Sequence, residues 1–216
     1  MNHLVVTGGA GGLAKAVTLA FLDPHWVTEH PDRHTLDVTQ RHSVGAYFES
    51  RDIDLLICAA GLTHDVPIVR LPEDAWDQVM QVNFVGARTC AEAVLPKMIA
   101  KGRGHIVFIS SYSALHPPIG QAAYASAKAA ILGLTHDLAR RFGSKGIRVN
   151  AILPGFLETQ MTATVSHQRK HEILTNHVLG RYNTPPAVAE FIRHLHERLP
   201  STSGQQFQLD SRVPYD

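Results

Sequence analysis

Several absences narrow this sequence before any motif is read. Only two cysteines are present, Cys58 and Cys90. Two thiols give no disulfide framework and suit a reducing, cytoplasmic setting. Neither sign of charge is in surplus: 20 Lys and Arg face 19 Asp and Glu, a formal net charge of +1. That balance offers no electrostatic attraction to nucleic acid or to an anionic membrane, so neither is expected as a partner. No apolar run approaches the ~20 residues needed to span a bilayer. Met1-Asn2-His3 leads straight into an apolar stretch, without the regions of a signal peptide, and no targeting segment is expected.

What is present is globular in character, with 44% hydrophobic and 18% charged residues. A chain of 216 residues suits one α/β domain over 1–216. Histidine is plentiful, at 14 residues, with His167 and His171 at helical spacing and His194 close to His196. No acidic or cysteine partner completes a ligand set, so scattered surface histidines and no metal are expected.

Strand and helix signals alternate along the chain. His3–Thr7 reads as a short buried strand, followed by Gly8-Gly9-Ala10-Gly11-Gly12-Leu13-Ala14 and a helix to about Leu22. Strand, glycine turn and helix amino terminus together make an anion site, because small residues let the backbone approach a pyrophosphate. Further strands are expected over 54–61, 106–109, 147–153 and 203–210. Helices are expected over 41–51, from Pro72 onward, over 87–101 with Gly102 closing it, over 124–142 and over 187–198. The pattern predicts a Rossmann-type parallel sheet with helices on both faces.

The chemistry concentrates between Ser111 and Lys128. The strand Ile106–Ile109 delivers Ser110 and Ser111 at its carboxyl end, where open α/β sheets place their ligands. A loop with Pro117, Pro118 and Gly120 turns the chain back, and a helix then sets Tyr124 and Lys128 four residues apart on one face. A phenol above an ammonium is a proton-transfer device, and the positive charge is expected to lower the tyrosine pKa. Tyr and Lys at this spacing also occur by chance. The preceding hydroxyl at a strand end and the separate glycine turn are what favour an enzyme.

Ser111, Tyr124 and Lys128 resemble the catalytic triad of the short-chain dehydrogenase/reductase family, a serine followed by Tyr-x-x-x-Lys, and matching features run from Thr7 to Asp210. The resemblance implies reversible hydride transfer between a nicotinamide cofactor and an alcohol/ketone pair. Thr7, Gly8, Gly12 and Ala14 match Thr-Gly-x-x-x-Gly-x-Gly, with alanine at its last glycine, so Gly8, Gly9, Gly12 and Leu13 are expected at the cofactor. Cys58-Ala59-Ala60-Gly61 stands where the family has Asn-Asn-Ala-Gly, which implies close approach of Ala59, Ala60 and Gly61 to the ribose. Asn83 matches the asparagine that bends its helix and, with a water, links the lysine to solvent. Pro154 and Gly155 resemble the segment beside the nicotinamide, and Leu157 and Thr159 match contacts to carboxamide and phosphate.

Residues 25–36 leave room for a short strand at Trp26-Val27-Thr28 but not for the family's next helix, so the sheet is expected to be trimmed at one edge. Leu36-Asp37-Val38-Thr39 resembles the end of the family's third strand, at the adenine, with a turn or cap role the other reading of Asp37. Residues 159–182 fall where the family carries its substrate lid, and Gln168, Arg169, Lys170 and His171 read there as a solvated helix face. Asp210 resembles the family ending, although Ser211-Arg212 replaces its paired glycines.

The stretch 150–162 is similar to that of 3-oxoacyl-type reductases. Between NAD and NADP, the uncharged Gly11 and the carboxylate of Glu29 favour NAD, while His30 and Arg33 argue the other way. Helices 87–101 and 124–142 correspond to a four-helix interface in the family. With Ala91, Val94, Leu95, Ala130 and Leu134 on them, a homodimer or homotetramer is expected. A non-catalytic dinucleotide-binding regulatory protein is the alternative, disfavoured by the intact Asn83, Ser111, Tyr124 and Lys128. An epimerase or dehydratase relative would usually carry a larger carboxyl-terminal domain.

Overall fold

Six short strands, the inner four mostly apolar, build the centre of the molecule: β1 (Asn2–Val6), β2 (Trp26–Glu29), β3 (Leu55–Cys58), β4 (Gly104–Ile109), β5 (Ile147–Leu153) and β6 (Gln206–Gln208). The computed structural model describes residues 1–213, and the last three of the expected 1–216 unit lie outside them. All strand pairings are parallel, in the order β2-β1-β3-β4-β5-β6. Helices α1 (Gly12–Ala20), α2 (Arg41–Glu49), α3 (Glu73–Met80), α4 (Ala87–Lys101), α5 (Ala122–Phe142), α6 (His167–Thr175) and α7 (Pro185–Arg198) connect or flank them.

Alternation along each strand sends side chains to two cores. Val5, Leu56, Ile106, Phe108 and Val149 pack with Val44, Phe48, Cys90, Met98 and Ile131, under α2, α4 and α5. Leu4, Val6, Leu55, Ile57, Val107 and Ile152 pack with Ala14, Val17, Phe21, Val188 and Ile192, under α1 and α7. Covering both faces is why the inner strands read as apolar runs rather than as a polar/apolar alternation. Ala91, Val94 and Leu95 also belong to the first core, so they do not form an outer apolar face.

The trimmed edge is real, but its details differ from expectation. No strand forms at Leu36–Thr39. Leu36 and Val38 are buried against α2 and α4, and the Asp37 carboxylate accepts hydrogen bonds from Thr39 N (3.0 Å) and Thr39 Oγ1 (2.7 Å). Asp37 is thus a turn acid ahead of α2, because the chain from His30 to Gln40 has no helix with which to return another strand to the sheet. Glu29 ends β2 with its carboxylate engaged by His3 Nε2 (2.6 Å), Tyr47 Oη (2.9 Å) and Arg51 Nε (3.0 Å). These bonds tie the sheet edge to α2.

Helices α3 and α4 form one continuous rod, interrupted by a π-helical segment at Gln81–Gly86. Such insertions frequently mark functional sites. Gly102, at φ 67°, ends α4 in the left-handed conformation. The histidines are not all at the surface: His105 and His177 are buried, at 0% and 3% exposure.

Candidate active site

Strand β4 ends at Ile109, and the next two residues divide the work. Ser110 is buried and donates to the Lys128 carbonyl (2.9 Å), fixing α5 against the strand end. Ser111 accepts from Ser113 N (3.1 Å) and opens a short 3₁₀ turn, Tyr112–Ala114. Ser113 Oγ then donates to Gln121 Oε1 (2.8 Å), and Gln121 Nε2 to the Asp65 carboxylate (2.7 Å). The loop before α5 is therefore held at both ends.

One turn apart on α5, Lys128 Nζ lies 5.5 Å from the Tyr124 ring centroid and donates to the Ile109 carbonyl (2.9 Å). Burial pushes the Tyr124 pKa up to about 12, against the opposing effect of a hydrogen bond with Ser111. Burial also pushes Lys128 down to about 8. The expected lowering of the phenol by Lys128 is not seen here: desolvation disfavours both charged forms and keeps the phenol protonated.

Asn83 sits in the π segment. Its Nδ2 donates to the carbonyls of Leu62 (2.8 Å) and Val79 (2.9 Å), whereas its buried Oδ1 has no hydrogen-bond partner among the described residues. A methyl group built onto Gly61 would lie 2.7 Å from that oxygen and 3.6 Å from Lys128 Nζ. Asn83 and Lys128 therefore border one small space beside Gly61, which only glycine leaves open. A buried unmatched acceptor beside an ammonium suits a hydroxyl-bearing group.

The dinucleotide side is built at the ends of β1 and β3. Thr7 Oγ1 accepts from both Ala59 N and Ala60 N (3.1 Å each), locking the two strand ends together. Gly8 has φ +75°, and a side chain there would meet Ala60 Cα at 2.8 Å. At Gly9 it would strike the His30 carbonyl at 1.7 Å. Helix α1 then begins at Gly12 with neither a side-chain cap nor an acidic residue in its first turn. Its free N–H groups and dipole suit a pyrophosphate, so the residues present fit a dinucleotide. Ala14 is accommodated, its methyl 1% exposed in the core.

The structure brings Gly8, Gly9, Gly12, Leu13, Ala59, Ala60, Gly61, Asn83, Ser111, Tyr124, Lys128, Pro154, Gly155 and Thr159 to the carboxyl end of the sheet. Thr159 faces Gly12, whose added methyl would lie 3.2 Å from Thr159 Cγ2. Leu157 turns its side chain into the core, and its carbonyl accepts from Thr162 Oγ1 (2.7 Å). Val38 packs against Gly86, and Asp37 is spent on its turn. Glu29 does not present a free carboxylate to a ribose, since three donors occupy it. One contact had only a faint sequence signal, the replacement of the paired glycines. The Arg212 guanidinium lies 3.6 Å above the Tyr112 ring, immediately after Ser111, and is held by Asp210 Oδ2 at 2.6 Å.

Comparison with known proteins bears on the family and the fold. The short chain dehydrogenase family matches residues 29–170. The chain is 32% identical to the 3-oxoacyl-[acyl-carrier-protein] reductase FabG of Thermotoga maritima, with 88% of each chain covered. It is likewise 32% identical to FabG of Aquifex aeolicus, over 93% of this chain and 82% of that one. Among solved structures, a 3-oxoacyl-[acyl-carrier protein] reductase from Brucella melitensis superposes with a TM-score of 0.91 at 25% identity, covering 98% of this chain and 91% of the other. A putative NAD(P)-dependent gluconate 5-dehydrogenase from Beutenbergia cavernae, with bound NADP, shares the fold with a TM-score of 0.90 at 24% identity, over 97% and 95% of the two chains. The chain belongs to the short-chain dehydrogenase family, NAD(P)-dependent oxidoreductases that act between alcohol and keto groups.

Proposed function

We propose that Tyr124 is the proton donor in the reversible reduction of a 3-oxo compound or related ketone. The convergence of Tyr124, Lys128 and the unmatched Asn83 Oδ1 at Gly61 carries this reading. NAD(P), when bound, supplies or accepts the hydride. Tyr124 gives its proton to the carbonyl oxygen, which the Ser111 hydroxyl holds. Lys128, with a pKa near 8, remains mostly charged at neutral pH and restores the phenol proton through the space it shares with Asn83. Gly8, Gly9, Gly12 and Leu13 hold the pyrophosphate; Ala59, Ala60 and Gly61 admit the ribose; Asp37 and Val38 stand on the adenine side. Pro154, Gly155, Leu157 and Thr159 flank the nicotinamide.

Support for NAD over NADP reduces to the missing charge at Gly11. Glu29 no longer contributes, and the exposed Arg33, only 3.4 Å from Asp37, favours a 2′-phosphate. The segment 159–182 serves as the substrate lid, with α6 as its rigid part. For a homodimer or homotetramer, the support is the exposed small stripe Ser126, Ala129 and Gly133 on α5, which lets a second helix approach closely. The two buried, unpaired cysteines suit a cytoplasmic setting.

The test is a screen of 3-oxo esters, keto acids and simple ketones with NADH and with NADPH, following cofactor absorbance. Ketone-dependent oxidation of either cofactor is expected. Its absence across the panel overturns the reaction assignment.

A further inference from the structure

We infer that Arg212 reads a carboxylate on the substrate, so that the preferred ketone is a free keto acid rather than its ester or thioester. This inference rests on the reaction proposed above and names its substrate class.

The position comes first. Tyr112 follows Ser111 directly, and the Arg212 Cζ lies 3.6 Å from its ring centroid, the stacked geometry a guanidinium prefers on an aromatic face. On the other side, a methyl group built onto Gly155 would meet Asp210 Cβ at 2.5 Å, so the Asp210–Arg212 pair is pressed against the segment that follows β5. Arg212 is thus bracketed by the two strand ends, β4 and β5, that enclose the reacting carbonyl.

Its electrostatics point to an anion. Nε and Nη2 both engage Asp210 Oδ2, at 2.6 and 2.5 Å. Nη1 makes no hydrogen bond among the described residues. The Arg212 side chain is 12% exposed and that of Asp210 is fully buried, so the guanidinium is held in place with one edge left to offer. With Asp210 already on the opposite edge, a monoanion is accepted more readily than a dianion, which the same carboxylate would repel more strongly. This favours carboxylate over phosphate.

The lid side completes the enclosure. His177 pairs with Arg212 through an antiparallel backbone bridge, and Val178 N donates to the Ser211 carbonyl (3.0 Å). The His177 ring donates from Nδ1 to the Ile173 carbonyl (2.8 Å), while its buried Nε2 is unmatched and lies 3.8 Å from Asp210 Oδ2. Arg212 is therefore fixed from the lid as well as from the sheet.

The experiment compares 4-oxopentanoate, its methyl ester and the corresponding keto phosphonate, by turnover and by calorimetric binding to the complex with NAD(P). The variants are Arg212→Gln, Arg212→Lys and the double variant Asp210→Asn/Arg212→Gln, which avoids leaving a buried carboxylate unpaired. The wild type is expected to favour acid over ester by at least about tenfold, the effect of one charge-assisted hydrogen bond. Arg212→Gln and the double variant should abolish that preference by weakening the acid far more than the ester, and Arg212→Lys should keep part of it. Equal binding of acid and ester by the wild type, retention of the preference without Arg212, or a preference for the phosphonate would each overturn the assignment. A wild type that binds the acid selectively yet turns over neither compound would support Arg212 while refuting the proposed reaction.

Discussion

Strand β4 carries a buried polar cluster at each end, and the two are built on opposite rules. At the amino end, His105 Nε2 receives a hydrogen bond from Asn150 Nδ2 (3.1 Å), so His105 Nδ1 carries the proton and donates to His196 Nδ1 (3.2 Å). Asn150 also donates to the Thr202 carbonyl (3.0 Å) and accepts from Gln205 N (3.0 Å). Arg148 closes the end of α7 on the carbonyls of Leu195, His196 and Leu199. A cavity of about 440 Å³ opens there, but no buried polar side-chain atom of this cluster lacks a partner among the described residues. At the carboxyl end, Asn83 Oδ1 stays unmatched and the Lys128 ammonium makes one hydrogen bond to the protein. A cavity by itself therefore does not mark the reactive end. A completed network is a joint, and an incomplete one is prepared for something else.

The largest expected contrast comes from Lys128→Met, which removes the charge but keeps the length of the side chain. Turnover should fall by ~10²-fold or more, as for other lost proton-transfer groups, well beyond the stability lost with the hydrogen bond to the Ile109 carbonyl. Steady-state kinetics beside a thermal melt would check it, and a loss below tenfold would argue that Lys128 is structural, like its counterparts at the other end.

Asn150→Leu should do the reverse. It strands His105 Nε2, the Thr202 carbonyl and Gln205 N, and each buried orphan costs about 1–3 kcal/mol. Denaturant unfolding should show that loss, while turnover per folded molecule stays near wild type. Reduced turnover at full stability would break the separation of the two ends.

Acid should act through the amino end. Burial, aided by the Arg148 charge, lowers His196 from 6.5 to about 4, and His105 is lowered well below its ordinary value for the same reasons. The unfolded chain then takes up protons that the folded one refuses. Stability is full above pH ~6.5 and declines as pH falls towards ~4. Melting temperatures measured across that window should show the decline, and His196→Gln should flatten it.

The smallest effect is expected from Glu29→Gln. Its three donors lie within the chain, so the ratio of NADH to NADPH affinity should stay unchanged while stability drops slightly. A shifted ratio in a two-cofactor titration would return Glu29 to the cofactor site.

Much of this was legible in sequence wherever a local rule sufficed. The span of β5 and the end of α4 at Gly102 followed from apolar runs and a left-handed glycine. The Tyr124–Lys128 face followed from helical spacing. Pairings made over long distances were not legible. Glu29 finds His3, Tyr47 and Arg51 at separations of 26, 18 and 22 residues. Asp37 looked like a strand end because Leu36 and Val38 are as apolar as a strand. Their burial comes instead from a turn packed on α2 and α4. The rise in the Tyr124 pKa was hidden too, since desolvation depends on burial that no spacing reports.

The central claim is that the Tyr124 hydroxyl does chemistry and carries little of the fold. Tyr124→Phe tests it most directly, by turnover and unfolding free energy measured on one preparation, with cofactor binding as a control. Turnover should fall by ~10²–10⁴-fold, the usual cost of a lost general acid, with stability and cofactor affinity near wild type. A variant that keeps its turnover, or that loses it only by unfolding, would contradict the account.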